Sequence, residues 1–342
     1  MFRHLRSFGL AMLVLAVGAS PALACAGLLG PNGAVTLVRT TTLAAHHNGV
    51  EHYITAFSFQ GGGGKFGSII PLPGIPTKVE RGGDWTLQRL IRETQPAFAA
   101  RAQVFPASEA QDKARVILET RIDALDITIL EGGGAAVGRW AREHGFLLPP
   151  DAPEMLDFYA SRSPIFMAAR FDADAAKKRG QQIGDGTPIH LTIPIKNPWV
   201  PLRILALGKK GSDVVRADVY LLTDIRPAFL PAGRGGLALQ YSAPASTELM
   251  RDLRSDKSMG WMPVGGMWLT HLAINSAARD LRYDLAVDVS GRGRPSREAA
   301  GLEPVRDPFL PELPGSMPAG VPLILMGALL TGAALVAGRR PA

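Results

Sequence analysis

Apolar and polar positions divide the chain into two uninterrupted hydrophobic ends and a long middle of short alternating segments. In the middle, residues 34–45 and 53–59 read as strands, and Asn48-Gly49 between them is a strong two-residue hairpin signal. Residues 66–71, 114–120, 125–130, 165–171, 189–195, 202–207 and 214–222 read as further strands, several rich in β-branched residues and Leu. Residues 267–274 and 281–289 also look extended. Helices are expected at 84–94, 134–144, 154–160 and 247–253, the first capped by Asp84 and stopped by Pro96. Strands dominate, and neither a βαβ rhythm nor a repeat is visible. The pattern predicts an α+β fold, mainly antiparallel sheet with a few inserted helices, plus a C-terminal single transmembrane helix.

The ends carry the topology. Residues 1–24 have a cationic start (Arg3, His4, Arg6), an apolar run at 10–23 and a small-residue exit at Ala22-Leu23-Ala24, as a signal peptide does. Cleavage after Ala24 leaves Cys25 first. The Ala22-Leu23 order is the reverse of a lipoprotein signal, which places Leu three residues before its Cys. Residues 319–338, AGVPLILMGALLTGAALVAG, hold no charge. At about 1.5 Å per residue such a helix spans roughly 30 Å, the thickness of the hydrocarbon core. Arg339 and Arg340 follow at once and assign residues 339–342 to the cytoplasm by the positive-inside rule. Residues 290–318 hold six prolines with scattered glycine and charge, and read as a linker. The expected order is signal (1–24), extracytoplasmic domain (25–289), Pro-rich linker (290–318), membrane helix (319–338) and tail.

Charge and cysteine narrow the function. The net charge of +7 comes from 37 Lys and Arg against 30 Asp and Glu. Arg3, Arg6, Arg339 and Arg340 account for four of these and belong to the topology signals. The remaining +3 is ordinary for a domain this size, so nucleic acid is not a partner. With one Cys in an exported chain, no intramolecular disulfide forms and the core must supply stability.

Candidate chemistry is sparse. Gly61–Gly64 before Lys65 lacks the first Gly and the hydroxyl of a phosphate loop, having Phe59 and Phe66 there. Glu131-Gly132-Gly133-Gly134 lacks the third dinucleotide glycine, which is Val137, and reads as a flexible helix entry. His46, His47 and His52 lie within seven residues and suggest a metal. The Asn48-Gly49 turn, however, places His47 and His52 on one face of the hairpin and His46 with Glu51 on the other. Met259, Met262 and Met267, with Trp261 and Trp268, suggest soft copper ligands or, equally, core packing. No G-x-S-x-G, H-E-x-x-H or S-x-x-K motif occurs.

FGSIIPLPGIPTKVE (66–80), LIRETQPAF (90–98), GRWAREHGFLLPP (138–150), IFMAARFD (165–172), IHLTIPIKNPWVPLRILAL (189–207) and VYLLTD (219–224) together resemble a bacterial family, domain of unknown function 2330. The resemblance covers about residues 30–225 and implies an exported or membrane-anchored protein with the same signal-plus-anchor layout. It implies no activity to transfer. Relatives often carry further cysteines near the mature N-terminus, and this chain has Cys25 alone.

The expected protein is therefore a single-pass, membrane-anchored module of the bacterial envelope, its N-terminal domain outside the cytoplasm. It is expected to bind an unidentified protein or ligand without catalysis or cofactor, and to meet the lipid bilayer through its C-terminal helix. An exported enzyme, or a copper or zinc protein without a recognisable motif, is the alternative.

Overall fold

The computed structural model describes residues 27–29, 36–60, 66–94, 114–172, 186–233 and 235–304. Residues 1–24, expected as a signal, the Gly61–Gly64 run and the apolar segment at 319–338 lie outside the described residues. Among the described residues, no helix is long and apolar enough to cross a membrane.

The chain opens with β1 (Gly27–Leu29), β2 (Thr36–His47), β3 (Val50–Gln60), β4 (Phe66–Leu72) and β5 (Lys78–Arg81), followed by helix α1 (Thr86–Thr94). Strands β6 (Arg115–Ile122) and β7 (Leu125–Glu131) lead into α2 (Gly134–Glu143) and α3 (Ala152–Ala160). Next come β8 (Ile165–Phe171), β9 (Ile189–Pro194), β10 (Trp199–Val200), β11 (Val214–Thr223), β12 (Ala228–Leu230) and β13 (Leu237–Pro244). Helix α4 (Thr247–Ser255), β14 (Trp268–Ala277) and β15 (Leu285–Asp288) complete the fold.

The strands make a seven-stranded sheet (β13-β14-β11-β2-β3-β9-β5), a five-stranded sheet (β1-β4-β8-β7-β6) and a three-stranded sheet (β10-β15-β12). Every pairing is antiparallel except β2 with β11. The mainly antiparallel α+β expectation holds. The β2–β3 hairpin has the predicted register, His47 opposite Val50 and His46 opposite Glu51. Asn48 and Gly49 take φ of 50° and 77°, the left-handed pair that a tight hairpin turn requires.

Two cores lie on opposite faces of the seven-stranded sheet. Ala44, Tyr53, Leu191, Val219 and Leu272 point to a large core shared with the five-stranded sheet, α2 and α3. Leu43, Ile54, Tyr220, Leu222 and Leu269 point the other way, against α1, α4 and Met259, Met262 and Met267. Side chains alternate along each strand, so a sheet covered on both faces needs apolar residues at consecutive positions. That is why Val219–Leu222 of β11 is a continuous apolar run. Gly134 opens α2 for a packing reason: a Cβ there would overlap Asp157 and the backbone of α3.

Three sequence expectations change. Residues 202–207 are not a strand. Asp284 Oδ1 accepts from the amides of Leu202 and Arg203 at 2.7 and 2.9 Å, and the Ile204 amide donates to the Tyr159 hydroxyl at 2.8 Å. With its amides taken by side chains, the segment winds into a 3₁₀ turn at Arg203–Ala206. The cap of α1 is not Asp84, because the carboxylate of Asp256 occupies that place. The Pro-rich stretch from Ser290 is folded as far as Pro304, so the compact unit ends there and not at residue 289. Ala300 is wholly buried, its carbonyl accepts from the Asp284 amide at 3.0 Å, and the Trp199 indole donates to the Ala299 carbonyl.

Candidate functional site

The sequence-selected residues do not assemble into one centre. His46 Nε2 donates to the Ile195 carbonyl at 2.9 Å. His47, on the opposite face, takes a hydrogen bond from Asn48 at 2.9 Å and gives one to Asp224 at 2.6 Å. Met259, Met262 and Met267 are buried among Leu87, Leu90 and Leu253 in the second core. Among the described residues, no group of three His, Cys, Asp or Glu side chains is placed to hold a metal ion.

His52 has a different environment. Strand β9 pairs with β3 so that Ile54 faces His190 and His52 faces Thr192, and β5 then sets Glu80 beside His190. The two histidines become diagonal neighbours on one face, and His52 Nδ1 meets His190 Nε2 at 2.9 Å. One ring nitrogen donates and the other accepts. On its far side, His190 Nδ1 faces Glu80 Oε1 at 3.5 Å, too long for a hydrogen bond, while Glu80 Oε2 is held by Lys78 at 2.8 Å. The Trp261 indole stacks on His52 with centroids 3.6 Å apart and planes within 2°. His190 Nδ1 and Trp261 Nε1 are both buried without hydrogen-bond partners.

Both imidazoles are held neutral. Burial first, then the neighbouring His190, lowers the pKa of His52 to about 3, with smaller contributions from His47, His46 and Lys78. Burial lowers His190 to about 4, opposed by Glu80.

Glu80 also lines an open cleft of about 620 Å³, together with Arg81, Gly82, Asp84, Asp123, Lys257 and Ser258. Arg81 bridges Asp84 and Asp123, and Lys257 reaches Asp84 at 2.8 Å. Ser258 takes a left-handed φ of 63° and donates to the Arg81 carbonyl at 3.1 Å. The segment that supplies Lys257 and Ser258 also carries Trp261, so the stack on His52 pins one cleft wall.

Other buried polar groups lie away from the cleft. Asp218, with both partners' help, joins His271 at 2.9 Å and Arg39, and His271 stacks on Tyr220. Glu51 is wholly buried and neither of its oxygens has a hydrogen-bond partner. Burial holds its carboxyl well above the usual range, and the nearby Trp199 amide, which makes no well-formed hydrogen bond to it, offsets this only in part.

The profile of a family described as uncharacterized proteins conserved in bacteria, domain of unknown function 2330, matches residues 19–232. The chain belongs to that family. The match contains Glu80, His52 and His190 and ends before the segment that carries Trp261. No curated protein matches the chain. A solved structure, the crystal structure of baculovirus P35, is similar over 76% of this chain and 99% of that one, at 8% identity and a TM-score of 0.40. A likeness at that level carries no argument.

The hairpin register was legible in the sequence, whereas the His52–His190 contact was not. It spans 138 residues and depends on which strand takes the free edge of β3. Its partners did lie in segments already singled out: His190 in the family-like IHLTIPIKNPW stretch, Trp261 in the Met and Trp cluster.

Proposed function

We propose that this chain is an exported, membrane-tethered binding protein whose folded unit takes a small zwitterionic ligand in the cleft of Glu80, Arg81, Asp84, Asp123 and Lys257. The observation that carries the binding reading is the lining itself. Three carboxylates and two cations face one open space of about 620 Å³, a size that admits an amino acid or short peptide. An ammonium group competes with Lys78 for Glu80 and with Arg81 for Asp123, and a carboxylate meets Arg81 and Lys257. Because Arg81 and Lys257 already hold Asp84, a ligand carboxylate competes for them and binds with modest affinity.

The location rests on the sequence: the signal-like segment at 1–24, the uncharged segment at 319–338 and the arginine pair behind it. A reporter enzyme active only outside the cytoplasm tests it. The fusion after Pro318 is active and the fusion after Ala342 is not; equal activity at both points defeats the tether.

Thermal shift with free amino acids and dipeptides tests the binding. A ligand at a hundredfold excess over its Kd stabilises the folded state by about 2.7 kcal/mol. Arg81→Ala and Glu80→Gln abolish that shift. A shift that both variants retain, or none with any zwitterion, overturns the reading.

A further inference from the structure

We propose that the His52–His190 pair is an acid-released latch: protonation of both rings frees the Trp261 indole and loosens the Lys257–Met262 segment that walls the cleft. As regulation of ligand access, this rests on the binding reading above; as a release of Trp261, it does not.

The geometry allows one proton between the rings but not two. With His52 Nδ1 and His190 Nε2 at 2.9 Å, one nitrogen must present a lone pair to the other's hydrogen. When both rings are imidazolium, two N–H groups face each other and the bond becomes a repulsive contact between like charges. Nothing nearby absorbs that charge well. From β2, His46 and His47 oppose it, the latter already committed to Asp224. From β5, Lys78 opposes it and Glu80 favours it on His190 alone. The segment after α4 brings Lys257, which is engaged with Asp84, and Asp256, which is engaged with the start of α1.

The covering group is the one able to move. Stacking on an indole favours an imidazolium, so a single proton on His52 keeps the latch closed. The second proton removes the hydrogen bond that holds His52 in register under Trp261. Met259 and Met262 are buried at either side of Trp261 and anchor the segment, while Ser258 in its left-handed conformation and Gly260, both just ahead of Trp261, give the backbone before the indole its freedom to turn. Trp261 leaves no hydrogen bond behind, since its Nε1 makes none in the closed state.

The test follows the Trp261 indole N–H by ¹⁵N NMR on the folded protein without ligand, its signal assigned through Trp261→Phe. Freed rings titrate near the ordinary histidine value of about 6.5, so the opening constant rises below that pH, by up to about a hundredfold per pH unit once both rings take up protons. The indole signal is expected to move and to exchange faster with solvent as pH falls from 7 to 4. The backbone amides of β11 keep their protection over the same range. His52→Gln and His190→Gln each reduce the dependence to at most tenfold per unit. Should one fail to fold, the imidazole ¹³C titration of the unaltered chain gives the same answer through coupled uptake of two protons.

An indole signal unchanged to pH 4, or one that moves only together with the β11 amides, overturns the latch. Binding of a dipeptide whose pH dependence falls in His52→Gln to at most tenfold per unit ties the release to the cleft. If no dipeptide binds at any pH while the indole still releases, the binding reading fails and the latch stands.

Discussion

The Thr86 hydroxyl donates a 2.7 Å hydrogen bond to Asp256 across 170 residues of sequence. The same carboxylate accepts from the amides of Asp84 and Trp85 at 3.0 Å each and from the Lys257 amide at 2.8 Å. The two amides that lead into α1 and the hydroxyl of its first residue are thus held by the residue that follows α4. Gly83 belongs to this joint, because a Cβ there would overlap the carboxylate.

Asp256→Ala is expected to lower unfolding free energy by about 2–4 kcal/mol, since it strands several buried donors at once. Asp256→Asn loses less, because the amide oxygen still accepts. Asp84→Ala shifts the urea midpoint little, as its side chain meets only Arg81 and Lys257 at the surface. A larger loss at Asp84 than at Asp256 would return the cap to Asp84.

This joint marks where sequence reading stops. Asp84 stood at the right place for a cap, before an apolar helical stripe, and local spacing held no sign of a better acceptor far along the chain. The same limit explains residues 202–207, whose strand-like Leu and Ile pattern yields to Asp284 and Tyr159. Patterns fixed by neighbours were legible. Strand β8 occupies Ile165–Phe171 as expected, and the Asn48-Gly49 turn sets the hairpin register. The weak edges were missed for a reason: β13 is an edge strand with an exposed Leu239, and β10 has two residues, so neither carries a periodic signal. At the candidate site, the faces of His46, His47 and His52 were legible, and the partner His190 was not.

Glu51→Met is expected to stabilise the fold. Glu51 is buried with two unpartnered oxygens, and a thioether of similar volume removes that desolvation. The gain is about 1–3 kcal/mol at pH 8. The sign with pH is fixed by the direction of the shift. An acid whose folded pKa is raised contributes least where the unfolded chain is ionised, so the advantage shrinks as pH falls towards 4.5. Urea unfolding at pH 8 and pH 5 measures it. A destabilised variant at pH 8 would mean that Glu51 has a buried partner after all.

Asp284→Asn is expected to steepen acid destabilisation. Burial raises the Asp284 carboxyl to about 6 despite the hydrogen bonds it accepts. Its contribution to stability therefore grows as pH falls from about 6 towards 3.8. His52 and His190, lowered to about 3 and 4, act in the opposite sense, because the unfolded chain takes up their protons first, from 6.5 downward. Asp284 thus offsets only one of the two histidines between pH 6 and 4. Asparagine keeps an acceptor for Leu202, Arg203 and Tyr159 but takes up no proton, so stability falls more steeply by up to about 1.4 kcal/mol per pH unit. Equal slopes for the two proteins would place the Asp284 pKa near its unfolded value.

Truncation distinguishes a folded C-terminal segment from a linker. A chain ending after Val289 loses the carbonyl that the Asp284 amide uses, the Ala299 carbonyl under the Trp199 indole, and buried Ala300. It also loses the Glu298 and Glu303 carbonyls that hold Arg162 at 3.0 and 3.3 Å. Arg162 lies over the Phe158 ring, 3.8 Å from its centroid, so its release exposes the outer side of α3. Two or more buried hydrogen-bond partners removed at roughly 1–3 kcal/mol each lower stability by about 3–5 kcal/mol. For a unit of this size that corresponds to a fall of roughly 6–15 °C in Tm. A chain ending after Pro304 retains every one of these contacts and is expected to melt with the full folded unit. Equal melting of the two truncated chains would return residues 290–304 to the role of a linker.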